Sequence, residues 1–268
     1  MHRPLKVGKL SQTAIDSVRF AYERLCQTFL DSALQHPYHD YVKSSVGSPA
    51  MLDRRIRAFE LYAPYLKPGM RVLDWGCRHA PDACMMRTLF ADLDLHGCDF
   101  IDDDFSVFFD YAKLTFKKIE HEYLLPYDDS TFDMVLSSGV LEHVGFEHES
   151  VREIWRILRP DGLFVVTFLP NETSLTENVS RLLGLYGGHN RLYDPGQTRN
   201  MFLRAGFVVE SQGYHQVFPS FWKDVNGSRV LNAAASLGAR MNRTVEQIPI
   251  VNAIAANLYF VLRRVRDM

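Results

Sequence analysis

Two stretches near the amino terminus repeat their apolar residues at the spacing of an α-helix. The first carries apolar side chains three or four positions apart, at Val18, Tyr22, Leu25 and Phe29, which predicts an amphipathic helix. The second runs from Met51 to Leu66 and is followed by Pro68 and Gly69, residues that end helices. The aromatic and histidine-rich segment between them, His36 to Tyr41, is interpreted as a loop.

Beyond these helices, short apolar runs alternate with segments of helical periodicity or loop composition. The runs that predict buried strands are Arg71–Asp74, Leu93–Cys98, Leu114–Ile119, Phe132–Ser137 and Gly162–Phe168. Such alternation is typical of an α/β fold, in which a parallel sheet is wound with helices.

Two helices later in the chain are marked most clearly. One has its apolar face at Val151–Leu158 and is expected to end at Arg159–Gly162. The other has Asp194 as a candidate N-cap, Pro195 in its first turn and Gly206 just past its end, and these are preferred positions for the three residue types.

The last part of the chain adds two strands and an insertion. Phe207–Gly213 and Asn257–Arg264 predict a sixth and a seventh strand. The segment between them, 214–256, is too long for a hairpin turn and is interpreted as an inserted lid or substrate subdomain. We therefore predict a helical cap at 1–66, a core at 67–213 and 257–268, and a lid at 214–256.

Composition narrows the classes of function. The chain has 268 residues and a net charge of -2, so it lacks the basic excess expected of a nucleic-acid-binding protein. Its four cysteines form no CxxC pair and its histidines lack metal-ligand spacing, so we expect no metal site and a reducing, cytoplasmic location. The longest apolar stretch, Val251–Leu262, contains two asparagines and is too short to span a bilayer.

Candidate chemistry begins where the first strand ends, at Asp74-Trp75-Gly76-Cys77-Arg78-His79-Ala80. In open α/β sheets, ligands bind beyond the carboxyl ends of the strands. The dinucleotide pattern GxGxxG is absent, because positions 78 and 80 are Arg and Ala. Asp74 at the entrance would repel a pyrophosphate, but it would favour the cationic cofactor S-adenosylmethionine, either by contacting its amino group or by ordering the loop.

A second acidic residue, Asp99, follows the second strand. A carboxylate at that place can accept hydrogen bonds from both hydroxyls of a ribose. The alternative is a helix N-cap or a solvated loop acid, since Asp102, Asp103 and Asp104 follow closely.

Four segments resemble class I S-adenosylmethionine-dependent methyltransferases, in the small-molecule branch that includes the ubiquinone and menaquinone enzymes. They are Val72–Cys77, Leu125–Asp133, Val140–Val144 and Glu153–Gly162, and their order and spacing are similar to that branch. The resemblance spans about half of the chain, from Met70 to Phe207. It implies a Rossmann-like three-layer sandwich, with a seven-stranded, mostly parallel sheet whose last strand is antiparallel.

The resemblance also implies roles for particular residues. The methionine end of the cofactor would lie against Asp74, Gly76 and Cys77, with Arg78 pointing away or meeting the methionine carboxylate. The residues implied for the remainder of the cofactor are Asp99 for the ribose, Phe100 for the adenine ring, His121 with Glu122 for the adenine amine, and Ser138 with Gly139 for the sulfonium.

Two histidines are candidate catalytic bases. His143 follows the fourth strand, although the histidine of this motif is frequently structural in the resembling family. His189 lies on a glycine-rich loop after the fifth strand, where it is either catalytic or simply solvated. Tyr38 and Tyr41 either face the sulfonium with their rings or pack within a loop.

The leading hypothesis is methyl transfer to a small-molecule acceptor, namely a hydroxyl of a glycan, a lipid-linked molecule or a secondary metabolite. Methylation of a carbon on a quinone-like ring is the second hypothesis. A catalytically decayed cofactor-binding protein and a nucleotide-dependent oxidoreductase remain as alternatives. The predicted insertion contains the aromatic residues Phe218, Phe221 and Trp222, which are compatible with a peripheral contact with a membrane.

Overall fold

The computed structural model describes residues 10–47, 49–175, 178, 182, 191–216, 241 and 253–265. Its helices are α1 (Gln12–Ser32), α2 (His39–Val46), α3 (Pro49–Tyr62), α4 (Pro81–Leu89), α5 (Ser106–Ala112), α6 (Glu147–Ile157) and α7 (Pro195–Arg204). Two 3-10 turns lie at Ala63–Tyr65 and Leu141–His143. The strands are β1 (Arg71–Trp75), β2 (Asp94–Asp99), β3 (Thr115–Lys118), β4 (Phe132–Ser138), β5 (Leu158–Pro170), β6 (Phe207–His215) and β7 (Asn257–Arg264).

The strands form one seven-stranded sheet in the order β3-β2-β1-β4-β5-β7-β6. Strands β1 to β5 pair in parallel, whereas β7 is antiparallel to both β5 and β6. This arrangement confirms the predicted α/β fold with an antiparallel last strand. The order of the strands reverses at β1, which lies between β2 and β4, and ligands of open sheets bind at such a reversal.

Alternation along the central strands divides the core between the two faces of the sheet. On β1, Val72 packs with the core that contains Val18 of α1, while Leu73 packs with the opposite core that contains Ile154 of α6. Successive side chains of a strand point to opposite faces, so a strand covered on both sides must be apolar almost throughout. Helices α1 to α5 therefore cover one face, and α6 and α7 cover the other.

Helix α7 begins and ends with the residues that the sequence predicts for its caps. The Oδ1 of Asp194 accepts a hydrogen bond from the backbone N of Gln197 at 2.8 Å, and Pro195 opens α7. Gly206, just beyond that helix, has a φ of 92°, a left-handed conformation that suits glycine.

Two details of the predicted elements are wrong. The segment from His39 is the helix α2 rather than a loop, and the burial of Val42 in the core beside α1 stabilises it. Strand β5 begins at Leu158 rather than at Gly162, because Leu158 pairs with Phe132 of β4 directly after α6 ends.

Within the described part of the chain, no helix is both long and apolar enough to cross a membrane. Residues 217–240 and 242–252 of the predicted lid, including Phe218, Phe221 and Trp222, lie outside the described residues. The division into cap, core and lid stays a prediction.

Candidate active site

The loop after β1 is held against the end of β2 by two backbone hydrogen bonds. The N–H groups of Gly76 and Cys77 both donate to the carbonyl of Cys98, at 2.8 and 3.2 Å. Gly76 has a φ of 70°, and a Cβ added there would lie 2.6 Å from a methyl carbon of Val140. The close approach of the loop to Val140 therefore requires glycine at position 76.

Arg78 and Ala80 adopt left-handed backbone conformations although neither is glycine. Their φ angles are 47° and 52°, a region that costs an L-residue roughly 1 kcal/mol or more. The loop thus alternates left-handed residues at 76, 78 and 80, and its path is maintained despite the two side chains that replace glycine.

Asp74, which opens the loop, is buried and orders the start of α4. Burial raises the pKa of Asp74 well above the usual value, and the nearby Asp82 raises it further. The backbone N–H of Ala83 donates a hydrogen bond to the carboxylate, which lowers the pKa in part. The Oδ2 of Asp74 has no hydrogen-bond partner among the described residues. The hydrogen bond from Ala83 shows how Asp74 can order this region, and its contact with the amino group of a cofactor stays a prediction.

Asp82, in the first turn of α4, anchors the loop to the amino-terminal helices. Its Oδ1 accepts a hydrogen bond of 2.6 Å from the hydroxyl of Tyr62, and its Oδ2 lies 3.5 Å from Nη1 of Arg55. This contact explains why α3 packs against the helix that follows the loop.

Asp99 lies at the carboxyl end of β2 and connects two loops. Its Oδ2 accepts from the backbone N of Arg78 at 2.8 Å, and its Oδ1 accepts from the backbone N of Ile101 at 3.0 Å. It is not the N-cap of α5, because that position is Phe105, and the acid that accepts from the backbone N of Ser106 is Asp104. The carboxylate is therefore fixed beside the loop after β1, and its role as a ribose acceptor stays a prediction.

The residues predicted near the adenine are placed at the surface. Phe100 is 52% exposed. His121 and Glu122 are also exposed, and the Nδ1 of His121 accepts from the backbone N of Tyr123 and of Leu124 at 3.3 and 3.1 Å. His121 therefore orders its own turn. Just before this turn, the backbone N–H of Ile119 donates a hydrogen bond to the carbonyl of Asp99.

A cavity of about 230 Å³ lies between the amino-terminal helices and the end of β4. Its lining is largely polar, with hydroxyl, guanidinium and carboxyl groups. The lining residues are Tyr41, Ser44, Ser45, Met51, Arg54, Arg55, Ser138, Gly139, Glu142, His143 and Phe168. The structure thus brings four of the predicted residues to one cavity, namely Tyr41, Ser138, Gly139 and His143.

Glu142 is the acidic residue of this cavity, and sequence reasoning missed it. Its side chain is only 4% exposed, and its Oε2 has no hydrogen-bond partner among the described residues. Burial raises the pKa of Glu142 from 4.5 to about 7, although a hydrogen bond from its own backbone N–H and the charges of Arg54 and Arg191 lower that pKa. The only sequence signal was its position beside His143 in the Val140–Val144 motif.

His143 lines the same cavity but is largely in solvent. Its side chain is 67% exposed, and its Nε2 lies 3.8 Å from Oε1 of Glu142. Partial burial and the charge of Arg78 lower the pKa of His143. The second predicted base, His189, lies outside the described residues.

The side chain of Arg78 extends from the loop after β1 and contacts aromatic rings at the start of α2. Its guanidinium carbon lies 4.5 Å from the centre of the Tyr41 ring and 5.4 Å from that of the Tyr38 ring, a cation–π geometry. In this structure the cation that faces the two tyrosine rings is therefore Arg78. Among the described residues, no group of three His, Cys, Asp or Glu side chains could hold a metal ion.

Comparison with known proteins agrees with this geometry. A family model described as a methyltransferase domain matches residues 50–212. A protein of Mycolicibacterium smegmatis, described as a probable S-adenosylmethionine-dependent methyltransferase, is 32% identical over 146 residues, which cover 53% of each chain. This chain therefore spans about half the length of that curated relative.

Solved structures agree in fold. An S-adenosylmethionine-dependent methyltransferase from Archaeoglobus fulgidus has a TM-score of 0.58 at 20% identity, covering 85% of this chain and 100% of that one. Phosphoethanolamine N-methyltransferase 2 from Haemonchus contortus, in complex with S-adenosylmethionine, has a TM-score of 0.57 at 16% identity, covering 90% of this chain and 60% of that one. At these identities the likeness concerns the fold alone.

Proposed function

The chain belongs to the methyltransferase domain family, and we propose that it transfers a methyl group from S-adenosylmethionine to a hydroxyl of a small polar molecule. The family match and the fold confirm the resemblance to class I methyltransferases, whose cofactor is S-adenosylmethionine. The ubiquinone-type branch, the acceptor and the roles of individual residues belong to the proposal.

The residues of the loop fit this cofactor. Asp99 uses one acceptor site on each carboxylate oxygen for a backbone N–H, and a carboxylate oxygen can accept a second hydrogen bond. Both oxygens can therefore still accept from a ribose diol. Gly76 and Cys77 would contact the methionine end through backbone, since the side chain of Cys77 is buried under the loop.

S-adenosylmethionine, when bound, supplies a methyl group on a sulfonium centre that departs as a neutral thioether. The protein's contribution is to hold the acceptor in line with that methyl group in a site that excludes water. Ser138 and Gly139 line the cavity at the end of β4, where the sulfonium is expected. The acceptor would thus occupy the cavity between this edge and helices α2 and α3.

The polar lining of the cavity is the observation that carries the choice of acceptor. Ser44, Ser45 and Ser138 contribute hydroxyl groups, while Arg54 and Glu142 contribute charges. These groups match a sugar or another hydroxyl-rich molecule better than a quinone-like ring, which would need a largely apolar surround. The size of the cavity suits one small molecule or the end of a larger glycan or lipid-linked acceptor.

Calorimetry with S-adenosylmethionine, its demethylated product S-adenosylhomocysteine and NAD tests the cofactor. We expect saturable binding of the first two and none of NAD, and binding of NAD alone would contradict the proposal. Transfer of a ¹³C-methyl group to extracted metabolites, followed by NMR, tests the acceptor, because the chemical shift separates a methyl on oxygen from one on carbon. A carbon-bound methyl would favour the quinone alternative.

A further inference from the structure

A buried carboxylate beside the cavity has one oxygen without a hydrogen-bond partner in the described part of the chain. Glu142 lies in the 3-10 turn that follows β4, and its Oε1 is 3.6 Å from the position that a Cβ on Gly139 would occupy. The other oxygen, Oε2, is buried without a hydrogen-bond partner among the described residues. Buried acids are usually satisfied, so an exception calls for an explanation.

Glu153 of α6 shows what a structural buried acid looks like in the same protein. Its Oε1 accepts a hydrogen bond from the backbone N of Leu125 at 2.8 Å, and both oxygens pair with the guanidinium of Arg156. Glu142 receives a hydrogen bond from its own backbone N–H, but in the described part of the chain it has no partners comparable to Leu125 and Arg156. Arg191, which could have served it, instead contacts Glu147 at 3.2 Å and the carbonyl of Val144 at 3.1 Å.

We propose that Glu142, and not His143, is the general base that takes the proton of the acceptor hydroxyl. This inference rests on the proposed methyl transfer to oxygen. The acceptor O–H bond breaks and its proton passes to the Glu142 carboxylate. The oxygen forms the new bond to the methyl carbon, and the electron pair of the broken C–S bond stays on sulfur.

The position of Glu142 supports this assignment. The carboxylate lies both at the cavity and beside Gly139, so it adjoins the acceptor space and the expected methyl end together. His143 touches the cavity with a side chain that is mainly solvated. A base works best when its pKa lies near the working pH, and burial brings the pKa of Glu142 to about 7.

The charged and titratable neighbours of Glu142 come from several elements. Helix α3 presents Arg54 and Arg55 to the cavity, α2 presents Tyr41, and the turn itself contributes His143. Arg191 acts from the segment before α7. The cationic groups oppose the effect of burial on the pKa, and the carboxylate is about half ionised near pH 7.

The test compares wild type with Glu142→Gln and His143→Gln. Each is incubated with methyl-labelled S-adenosylmethionine and the small-molecule fraction of a cell extract, and labelled product is measured from pH 5.5 to 9. Wild type should gain activity as the pH rises through about 7. Glu142→Gln should lower the rate about 100-fold or more and abolish its rise with pH, which we call the pH limb. The Kd of the cofactor should change less than about threefold. His143→Gln should keep the limb.

Glu153→Gln is the matched control for loss of a buried carboxylate, and it should keep the pH limb of wild type. A Glu142→Gln enzyme with a rate within about threefold of wild type and an unchanged limb overturns the assignment of the base while leaving methyl transfer standing. Failure of wild type to bind cofactor or to form any labelled product overturns both proposals.

A second readout needs no acceptor. With ¹³C-labelled glutamate carboxyl groups, the infrared difference between wild type and Glu142→Gln isolates the signal of this one side chain. We expect the band of the protonated acid to disappear as the pH rises through about 7. Loss of that band at the pH typical of solvated glutamates would overturn the proposal, because Glu142 would then be an ordinary surface acid.

Discussion

The burial of Glu142 predicts a specific dependence of stability on pH. The fold raises the pKa of this carboxyl from 4.5 to about 7, so between these values the folded chain binds more protons than the unfolded chain. The contribution of Glu142 to stability must therefore fall as the pH rises through this interval and become constant above it. Each pKa unit corresponds to about 1.4 kcal/mol, so the full penalty is about 3 kcal/mol.

Glu142→Gln removes the ionisation while keeping the shape of the side chain. Urea unfolding of both proteins between pH 5 and pH 8.5 gives the difference in their free energies of unfolding, in which contributions from other titrating groups cancel. We expect the variant to gain about 2–3 kcal/mol relative to wild type across this range. A difference that stays constant within about 0.5 kcal/mol would refute the burial of an ionisable Glu142.

Three further substitutions test the cofactor loop and its support. Asp99→Ala should weaken the binding of S-adenosylmethionine by roughly 1–3 kcal/mol in calorimetry, because it removes charged acceptors from the ribose; unchanged affinity would contradict this role, and Asp99→Asn, which keeps one oxygen acceptor, should lose less. Gly76→Ala should destabilise the fold by about 1–3 kcal/mol in urea unfolding, because its Cβ would lie 2.6 Å from Val140; full stability in that variant would show that the loop can move away, and the double variant with Val140→Ala should recover part of the loss. Tyr62→Phe removes the 2.6 Å hydrogen bond to the buried Asp82 and should cost about 1–3 kcal/mol of unfolding free energy; an unchanged midpoint would mean that Asp82 is not anchored by this hydroxyl.

Most of the fold follows from local patterns. The seven strands and the capped start of α7 at Asp194 were accessible to reasoning from the residues, whereas the antiparallel last strand was implied by the resemblance to class I methyltransferases. Helix α2 was missed because it is short and polar, and its stability comes from packing of Val42 that no local pattern shows. The start of β5 at Leu158 was missed for a related reason, since only its pairing with Phe132 decides it.

Some features of the candidate site could also be predicted from the sequence, and others could not. Asp99 could be predicted because its place after β2 follows from the order of strands. The burial of Glu142 could not, because it depends on α3 and the end of β4 meeting across the cavity. Arg78 was predicted to point away or to meet the cofactor, and only the fold shows its guanidinium on the ring of Tyr41.

The central claim, that this protein moves a methyl group from S-adenosylmethionine to a small hydroxyl-bearing molecule, is tested most directly by transfer itself. Purified protein is incubated with methyl-labelled cofactor and fractionated metabolites, and the products are identified by mass spectrometry. The account predicts a labelled small molecule whose formation needs the protein and, at a cofactor concentration near the wild-type Kd, falls with Asp99→Ala. Tight binding of the cofactor with no labelled product from any fraction would contradict it and would favour a cofactor-binding protein that has lost catalysis.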